Sequence, residues 1–339
     1  MYRLFSLLTV FLFALSLAYG GDVKRKGTAG AQEVLIPVGA RGIATGGALF
    51  PSLSGVEAIY YNPAGLSVGD RSEAMFSHMS YIADINVSYV AVSANFVDFG
   101  AIALSFKTLS FGDIPVTTFE HPDGDGTTYS PGTYIVGLTY SRALTDRVSA
   151  GFTTKVIYES VMSTSASGMA IDFGVQYRFS SGLSIGASLK NVGTDMQFSG
   201  SDLQTKTDVP EAGLGSSQGV YSPETESFQI PSYFELGVNY LHTFNPDNQL
   251  LLGTTFRNNN NLQDELMFGL EYKMMNVLAL RSGYDMLVRD AKESVYGLNL
   301  GAGVDYKFEN GIAVSFDYAF RSVKDFPTDN HVFTVKLGL

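Results

Sequence analysis

Residues 169–179 read Met-Ala-Ile-Asp-Phe-Gly-Val-Gln-Tyr-Arg-Phe. Met169, Ile171, Phe173, Val175, Tyr177 and Phe179 alternate with Ala170, Asp172, Gly174, Gln176 and Arg178. In an extended chain successive side chains point to opposite faces, so this stretch is a strand with one apolar and one polar face. Its length matches the roughly 9–11 residues of a tilted strand that crosses a bilayer. The alternation returns in Tyr296, Leu298, Leu300, Ala302, Val304 and Tyr306, set against Gly297, Asn299, Gly301, Gly303, Asp305 and Lys307. It returns in Ile312–Phe320 and closes the chain in Phe333, Val335, Leu337 and Leu339. Similar runs lie near 101–108, 133–141, 148–159, 183–190, 233–240, 249–257, 265–273 and 277–284, with weaker ones near 72–81 and 85–96. The total is about fourteen, and transmembrane barrels of this type are usually even-numbered.

Which face meets lipid is settled by composition and by the strand ends. Charged residues are 16 % of the chain, below the roughly 25 % of soluble proteins. The polar parity is mostly Gly, Ser, Asn and scattered charge, as suits a wet or plugged lumen. Aromatic residues gather at strand ends: Tyr140, Tyr158, Tyr177, Tyr240, Phe256, Tyr272, Tyr284, Tyr296, Tyr306 and Phe320. That is where an interfacial girdle sits. Closure into a barrel also removes sheet edges, which lipid cannot hydrogen-bond. The expected fold is an all-β transmembrane antiparallel barrel in the bacterial outer membrane, with outer-membrane lipid as its surroundings.

Residues 1–20 read as a cleaved signal peptide. Arg3 precedes an apolar run from Leu4 to Leu17, and Ser16, Ala18 and Gly20 offer cleavage points. No later stretch approaches the roughly 18 unbroken apolar residues of a spanning helix. Short connections (Asp98–Gly100, Ser180–Gly182, Met274–Asn276, Phe308–Gly311) alternate with longer ones at 109–132, 160–167, 192–231, 258–264, 286–294 and 322–330. With both termini in the periplasm, the long set faces outside.

The chain carries −11 net charge and no Cys. Without a basic stripe, nucleic acid is excluded as a partner. Without Cys there is no disulfide or thiolate metal site. His78, His121, His242 and His331 are scattered, with no metal spacing and no triad partners. Gly215-Ser216-Ser217-Gln218-Gly219 fits a hydrolase elbow by pattern, but it stands in a Gly/Ser loop rather than between strand and helix. Asp123-Gly124-Asp125-Gly126 lacks the sixth-position Gly and late Glu of a calcium loop, and reads as a turn. No enzyme, cofactor or metal is expected.

Residues 21–70 break the strand pattern. They are rich in Gly, Ala and Pro, and hold Val38-Gly39-Ala40-Arg41, Gly46-Gly47-Ala48 and Asn62-Pro63-Ala64-Gly65-Leu66. Asn62 can bond its own backbone and Pro63 ends strand pairing, so the segment suits a compact plug. These stretches resemble the FadL-type outer-membrane barrels, most of all their PorV/PorQ branch. The resemblance extends through Ile114–Thr118, Asp123–Thr127, Leu144–Arg147, Ala170–Phe179 and Lys190–Gly193. The chain departs from the family where Ser52–Glu57 precedes the motif and where Tyr61 stands in place of a common Trp.

The resemblance implies a fourteen-stranded barrel, residues 71–339, with residues 21–70 as a hatch inside it. It implies a PorV-like component of a type IX-like protein secretion route that binds exported proteins or secretion-complex subunits. The alternative is a FadL-like channel for hydrophobic small molecules, and a third reading is a structural or adhesive barrel. Charges on the polar parity (Lys107, Lys155, Asp172, Arg178, Lys190, Glu235, Arg257, Glu271, Arg281, Asp305, Asp317, Arg321) are expected to pair across the lumen and to anchor the hatch. The long link 192–231 carries Met196, Phe198, Tyr221, Phe228 and Ile230, and Phe198, Tyr221 and Phe228 are expected to hold a protein partner. An internal lid is the competing expectation for the same loop.

Overall fold

The computed structural model describes residues 27–339 apart from 70, 97, 208–218, 290 and 310. The expected export signal at 1–20 and residues 215–218 of the elbow-like pattern therefore lie outside the described residues. Fourteen strands follow one another: β1 Glu73–Ser80, β2 Asn86–Phe96, β3 Gly100–Ser110, β4 Gly132–Ala143, β5 Val148–Val161, β6 Thr164–Arg178 and β7 Leu183–Gly193. They continue as β8 Tyr233–Asn245, β9 Asn248–Asn259, β10 Glu265–Met274, β11 Leu278–Leu287, β12 Tyr296–Lys307, β13 Ala313–Val323 and β14 Asn330–Gly338. Each pairs antiparallel with the next, and β14 returns to β1 from Glu73↔Gly338 to Ser80↔His331. The sheet is closed, so no edge is left unpaired.

The side-chain parity is the reverse of a soluble sandwich. Phe173, Val175, Phe316 and Phe333 are about half exposed on the outer face, whereas Asp172 and Gln176 between them are 1 % exposed. A protein in water would bury the first set and expose the second. An apolar band facing outward round a closed sheet is the surface of a membrane barrel.

The even-numbered turns, such as Pro246–Asp247 between β8 and β9, are all short. At the other end lie the 111–131 and 194–232 links and those at 260–264, 288–295 and 324–329. One expected long link is absent. Between β5 and β6 only Met162 and Ser163 form the turn, with Met162 at φ 51°, because the ladder between the two strands continues to Val161↔Thr164. Two girdle aromatics also differ. Tyr296 turns inward across a register shift between Tyr296 and Asn299, and Phe256 is buried. A register shift inverts the facing that strict alternation assigns.

Residues 28–68 lie inside the closed sheet. They form short helices only, including α1 Ala40–Ala44 and α2 Ala58–Tyr61, with 3-10 turns at Gln32–Leu35, Phe50–Ser52, Gly55–Glu57 and Pro63–Val68. The space for them comes from inward glycines on eight consecutive strands: Gly151, Gly174, Gly186, Gly237, Gly253, Gly269, Gly283 and Gly301. Several are direct cross-strand partners (Gly151↔Gly174, Gly186↔Gly237, Gly253↔Gly269, Gly269↔Gly283), so they form a level belt. Residues 44–51 and 62–63 run along this belt, and a Cβ at any of these glycines would overlap the inner segment or the inward side chains beside it.

Candidate functional site

The Asn62–Leu66 motif is a wall attachment. Asn62 Oδ1 accepts from Ala64 N at 3.1 Å and caps the Pro63–Val68 turn, while Asn62 Nδ2 donates to Val175 O of β6 at 3.1 Å. Ala64 O accepts from Ser141 Oγ of β4 at 3.0 Å, and Gln176 Nε2 donates to Phe50 O and Leu53 O. Asn62, Pro63, Ala64, Gly65 and Leu66 are all buried. The Val38–Arg41 stretch is a second attachment on the opposite wall. Gly39, at φ 82°, turns the chain into α1, and Ala40 N donates to Thr334 Oγ1 of β14 at 2.8 Å.

Arg41 leads the first of three ion-pair groups. Its Nε and Nη2 clasp both oxygens of Glu271 at 2.7 and 2.8 Å, and Nη1 lies 3.5 Å from Glu57 Oε2. Arg281 bridges Glu271 and Asp317 at 2.6 Å each, Lys336 faces Glu57 at 3.7 Å and Lys273 pairs with Asp305 at 2.7 Å. A gap of about 40 Å³ lies among them. Burial lowers the Arg41 guanidinium, but Glu271 and Glu57 outweigh it and hold Arg41 well above the ordinary arginine value. In the second group Asp172 meets Lys155 at 2.8 Å and Lys190 at 3.7 Å, and Lys190 Nζ sits 4.3 Å over the Tyr60 ring. Burial pushes the Tyr60 hydroxyl upward. It remains a donor to Leu35 O at 2.9 Å. In the third, Arg257 joins Glu235 at 2.7 Å and Glu265 at 2.9 Å. Lys155, Asp172, Glu235, Arg281, Asp305 and Asp317 thus each stand in an ion pair with a neighbouring or next-neighbouring strand. Arg178 stands apart at the short-link end of β6, with no ion pair among the described residues.

Between the inner segment and strands β9–β13, just under the long-link end, lies a cavity of about 360 Å³. Leu35, Ile36, Ile43 and Tyr61 line it from the inside, and Met267, Met286, Leu287 and Val295 from the wall. Tyr81, from the β1–β2 link, meets Tyr296 hydroxyl to hydroxyl and forms a bar across one side. The Arg321 guanidinium stacks 3.5 Å from the Tyr296 ring centre and pairs with Asp285 at 3.4 Å. Arg257, Glu265, Asp285, Glu293 and Arg321 line it with charge, and Gln32, Asn259, Gln263 and Ser294 add polar groups among the apolar ones. Tyr61 lines the chamber, and none of Asn62–Leu66 does.

Residues 196–198 and 228–230 of the 194–232 link pack over the inner segment. Met196 bridges Phe228 through paired backbone hydrogen bonds, the Phe198 and Phe228 rings lie 5.5 Å apart, and Phe228 packs on Gly30. Met196 and Ile230 join a cluster with Val34, Ile135 and Ile157. Ala29 bridges Gln229 in parallel. Of the three expected partner residues, Phe198 and Phe228 are half-buried in this cover, and Tyr221 alone is exposed. Asp125 makes a plain turn by accepting from Thr127 N and Oγ1, which hold its carboxyl below the usual range.

Sequence reading missed the cavity as a site. Arg257 and Arg321 were legible only as inward charges, and Tyr296 as a girdle residue. The apolar lining comes from at least six separated segments, and no local spacing joins them.

The fold is shared with known channels. The chain is similar to the CymD monoaromatic hydrocarbon channel (TM-score 0.55, 12 % identity, covering 90 % of this chain and 97 % of that one). It is similar to the Pseudomonas putida toluene transporter TodX (0.56, 12 %, 88 % and 96 %) and to a Pseudomonas aeruginosa FadL homologue (0.51, 12 %, 89 % and 98 %). No protein-family model and no curated protein matches the chain. At this identity the likeness establishes a FadL-like outer-membrane barrel fold.

Proposed function

We propose that the chain is an outer-membrane channel for hydrophobic small molecules. Residues 27–68 act as its hatch, the long-link end faces outside, and residues 1–20 are its cleaved export signal. The observation that carries the reading is the largely apolar cavity between hatch and wall. Folds of the same kind carry the names of toluene and monoaromatic hydrocarbon channels, which supports an apolar cargo. A chamber lined by Leu, Ile, Met and Tyr favours such cargo because burying apolar surface gains about 25 cal/mol per Å². PorV-like secretion rests on the Val38–Arg41 and Asn62–Leu66 resemblance. Both stretches are buried against the wall, and Phe198 and Phe228 cover the hatch, so none of them is presented to protein cargo. A purely structural or adhesive barrel has no use for the chamber.

The test is uptake of the neutral apolar dye phenylnaphthylamine by cells with a lipopolysaccharide outer leaflet. Cells that express the barrel should take up the dye several-fold faster than vector controls, and Leu287→Asp should remove the gain. Equal rates in all three would overturn the reading.

A further inference from the structure

We infer that the cavity takes a neutral aromatic body of two to three fused rings, in preference to a single ring or to a fatty-acid anion. The inference rests on the channel reading and narrows its cargo.

Size is the first ground. A cavity of roughly 150 Å³ is enough to house one benzene, and the chamber here, at about 360 Å³, is more than twice that. A single ring would leave much of the lining without partner atoms and forfeit the dispersion contacts that fill a well-packed site. Lining chemistry is the second. The rings of Tyr61, Tyr81 and Tyr296 and the thioethers of Met267 and Met286 all border the space. Aromatic faces and edges, and sulfur set near a ring, favour an arene over an alkyl chain of equal volume.

Charge is the third ground, and it decides against an anion. Arg257 at the cavity edge is held between Glu235 and Glu265, and Arg321 meets Asp285 at 3.4 Å with its Nη1 left without a hydrogen-bond partner among the described residues. Carboxylates outnumber guanidiniums in these pairs. A fatty-acid carboxylate would lose its hydration and enter an edge where carboxylates already exceed cations, with Glu293 adding to them, which is unfavourable. A neutral arene has no such group to desolvate.

The chain contains no Trp, so one introduced Trp is a unique reporter. Leu262→Trp places it in the 260–264 link at the cavity, and Val295→Trp is a second choice should the first fail to fold. Energy transfer to anthracene is read in lipid vesicles, with lipid-facing Phe268→Trp as the control for dye dissolved in the bilayer. Transfer from position 262 should saturate, whereas transfer from 268 should rise linearly. At equal lipid-phase concentration, naphthalene and phenanthrene should displace anthracene at least tenfold more effectively than toluene, and hexadecanoate should not displace it. Displacement by toluene equal to that by phenanthrene, or stronger displacement by hexadecanoate, would overturn this inference and leave the channel reading in place. No saturable transfer and no competition by any ligand would remove the channel reading itself.

Discussion

Asn62 Oδ1 occupies the space that a Cβ on residue 174 would need, so the Asn62–Leu66 motif and the β6 glycine fit only as a pair. The same oxygen caps the turn that follows, and the same side chain donates to Val175 O one residue along the strand. Gly174→Ala should therefore lift the motif from the wall. Overpacking of this kind typically costs about 1–3 kcal/mol. Gly297→Ala is the control, because its Cβ would meet only the Tyr284 ring at 3.5 Å. Heat-modifiable gel migration and urea midpoints should fall for the first variant and hold for the second; similar midpoints for both would break the link between Asn62 and Gly174.

Arg41 fastens α1 to the wall through Glu271 and to the neighbouring inner turn through Glu57. In Arg41→Ala, Glu57 keeps only the 3.7 Å pair with Lys336. The cost is expected to lie below the about 3–5 kcal/mol of breaking a fully buried pair, because Arg41 keeps about a fifth of its side chain exposed (21 %). Ion conductance in planar bilayers should rise several-fold. The pH behaviour follows from the raised value of Arg41. A raised folded-state value means that its contribution is complete below the ordinary arginine value and is lost only at more alkaline pH. The conductance block of the wild type should hold from neutral pH to about pH 10. Loss of the block in that window would show that another group is the fastening.

Asp172 and Phe173 are neighbours on opposite faces, and both should be costly to change. Phe173→Arg puts a charge into the lipid band at about 2–4 kcal/mol. Asp172→Asn leaves Lys155 and Lys190 beside each other with no carboxylate, which by the same reasoning as any broken buried pair costs about 3–5 kcal/mol. Parity alone suggests that the lumen change is mild, but burial makes it severe. Asp172→Asn combined with Lys190→Met should recover folding yield, and Phe173→Arg with Lys190→Met should not. Absence of recovery in the first pair would mean that Asp172 acts through Asn191 N rather than through the lysines.

Phe228 packs over the inner segment, and Tyr221 is exposed. Phe228→Ala should raise liposome swelling in small sugars, and Tyr221→Ala should leave it unchanged. The stability change should be about half of the 3–5 kcal/mol of a fully buried Phe, since Phe228 is half-buried. Unchanged swelling in Phe228→Ala would return the loop to the role of an external docking surface.

The barrel was legible because period two survives in every strand, even the short β1 and the polar β2. The closed topology followed from strand count and link lengths. The inward turn of Tyr296 was not legible, since a register shift leaves no mark in residue type. The glycines of the belt were visible as members of the polar parity, yet their meaning depends on cross-strand register. Gly253 and Gly269 become neighbours only after β9 and β10 pair. The Asn62–Leu66 motif was readable as a turn-former because Asn and Pro act locally. The cavity was not readable, because Leu35, Tyr61, Met267, Leu287 and Tyr296 share no spacing and meet only when the inner segment lies within the closed sheet.

The most direct test of the account is diffraction from crystals of the barrel soaked in bromonaphthalene, with bromine located by its anomalous signal. The account predicts a peak inside the chamber, among Tyr61, Met267 and Leu287. Bromine found only along the outward apolar band, with ordered water filling the chamber, would contradict it.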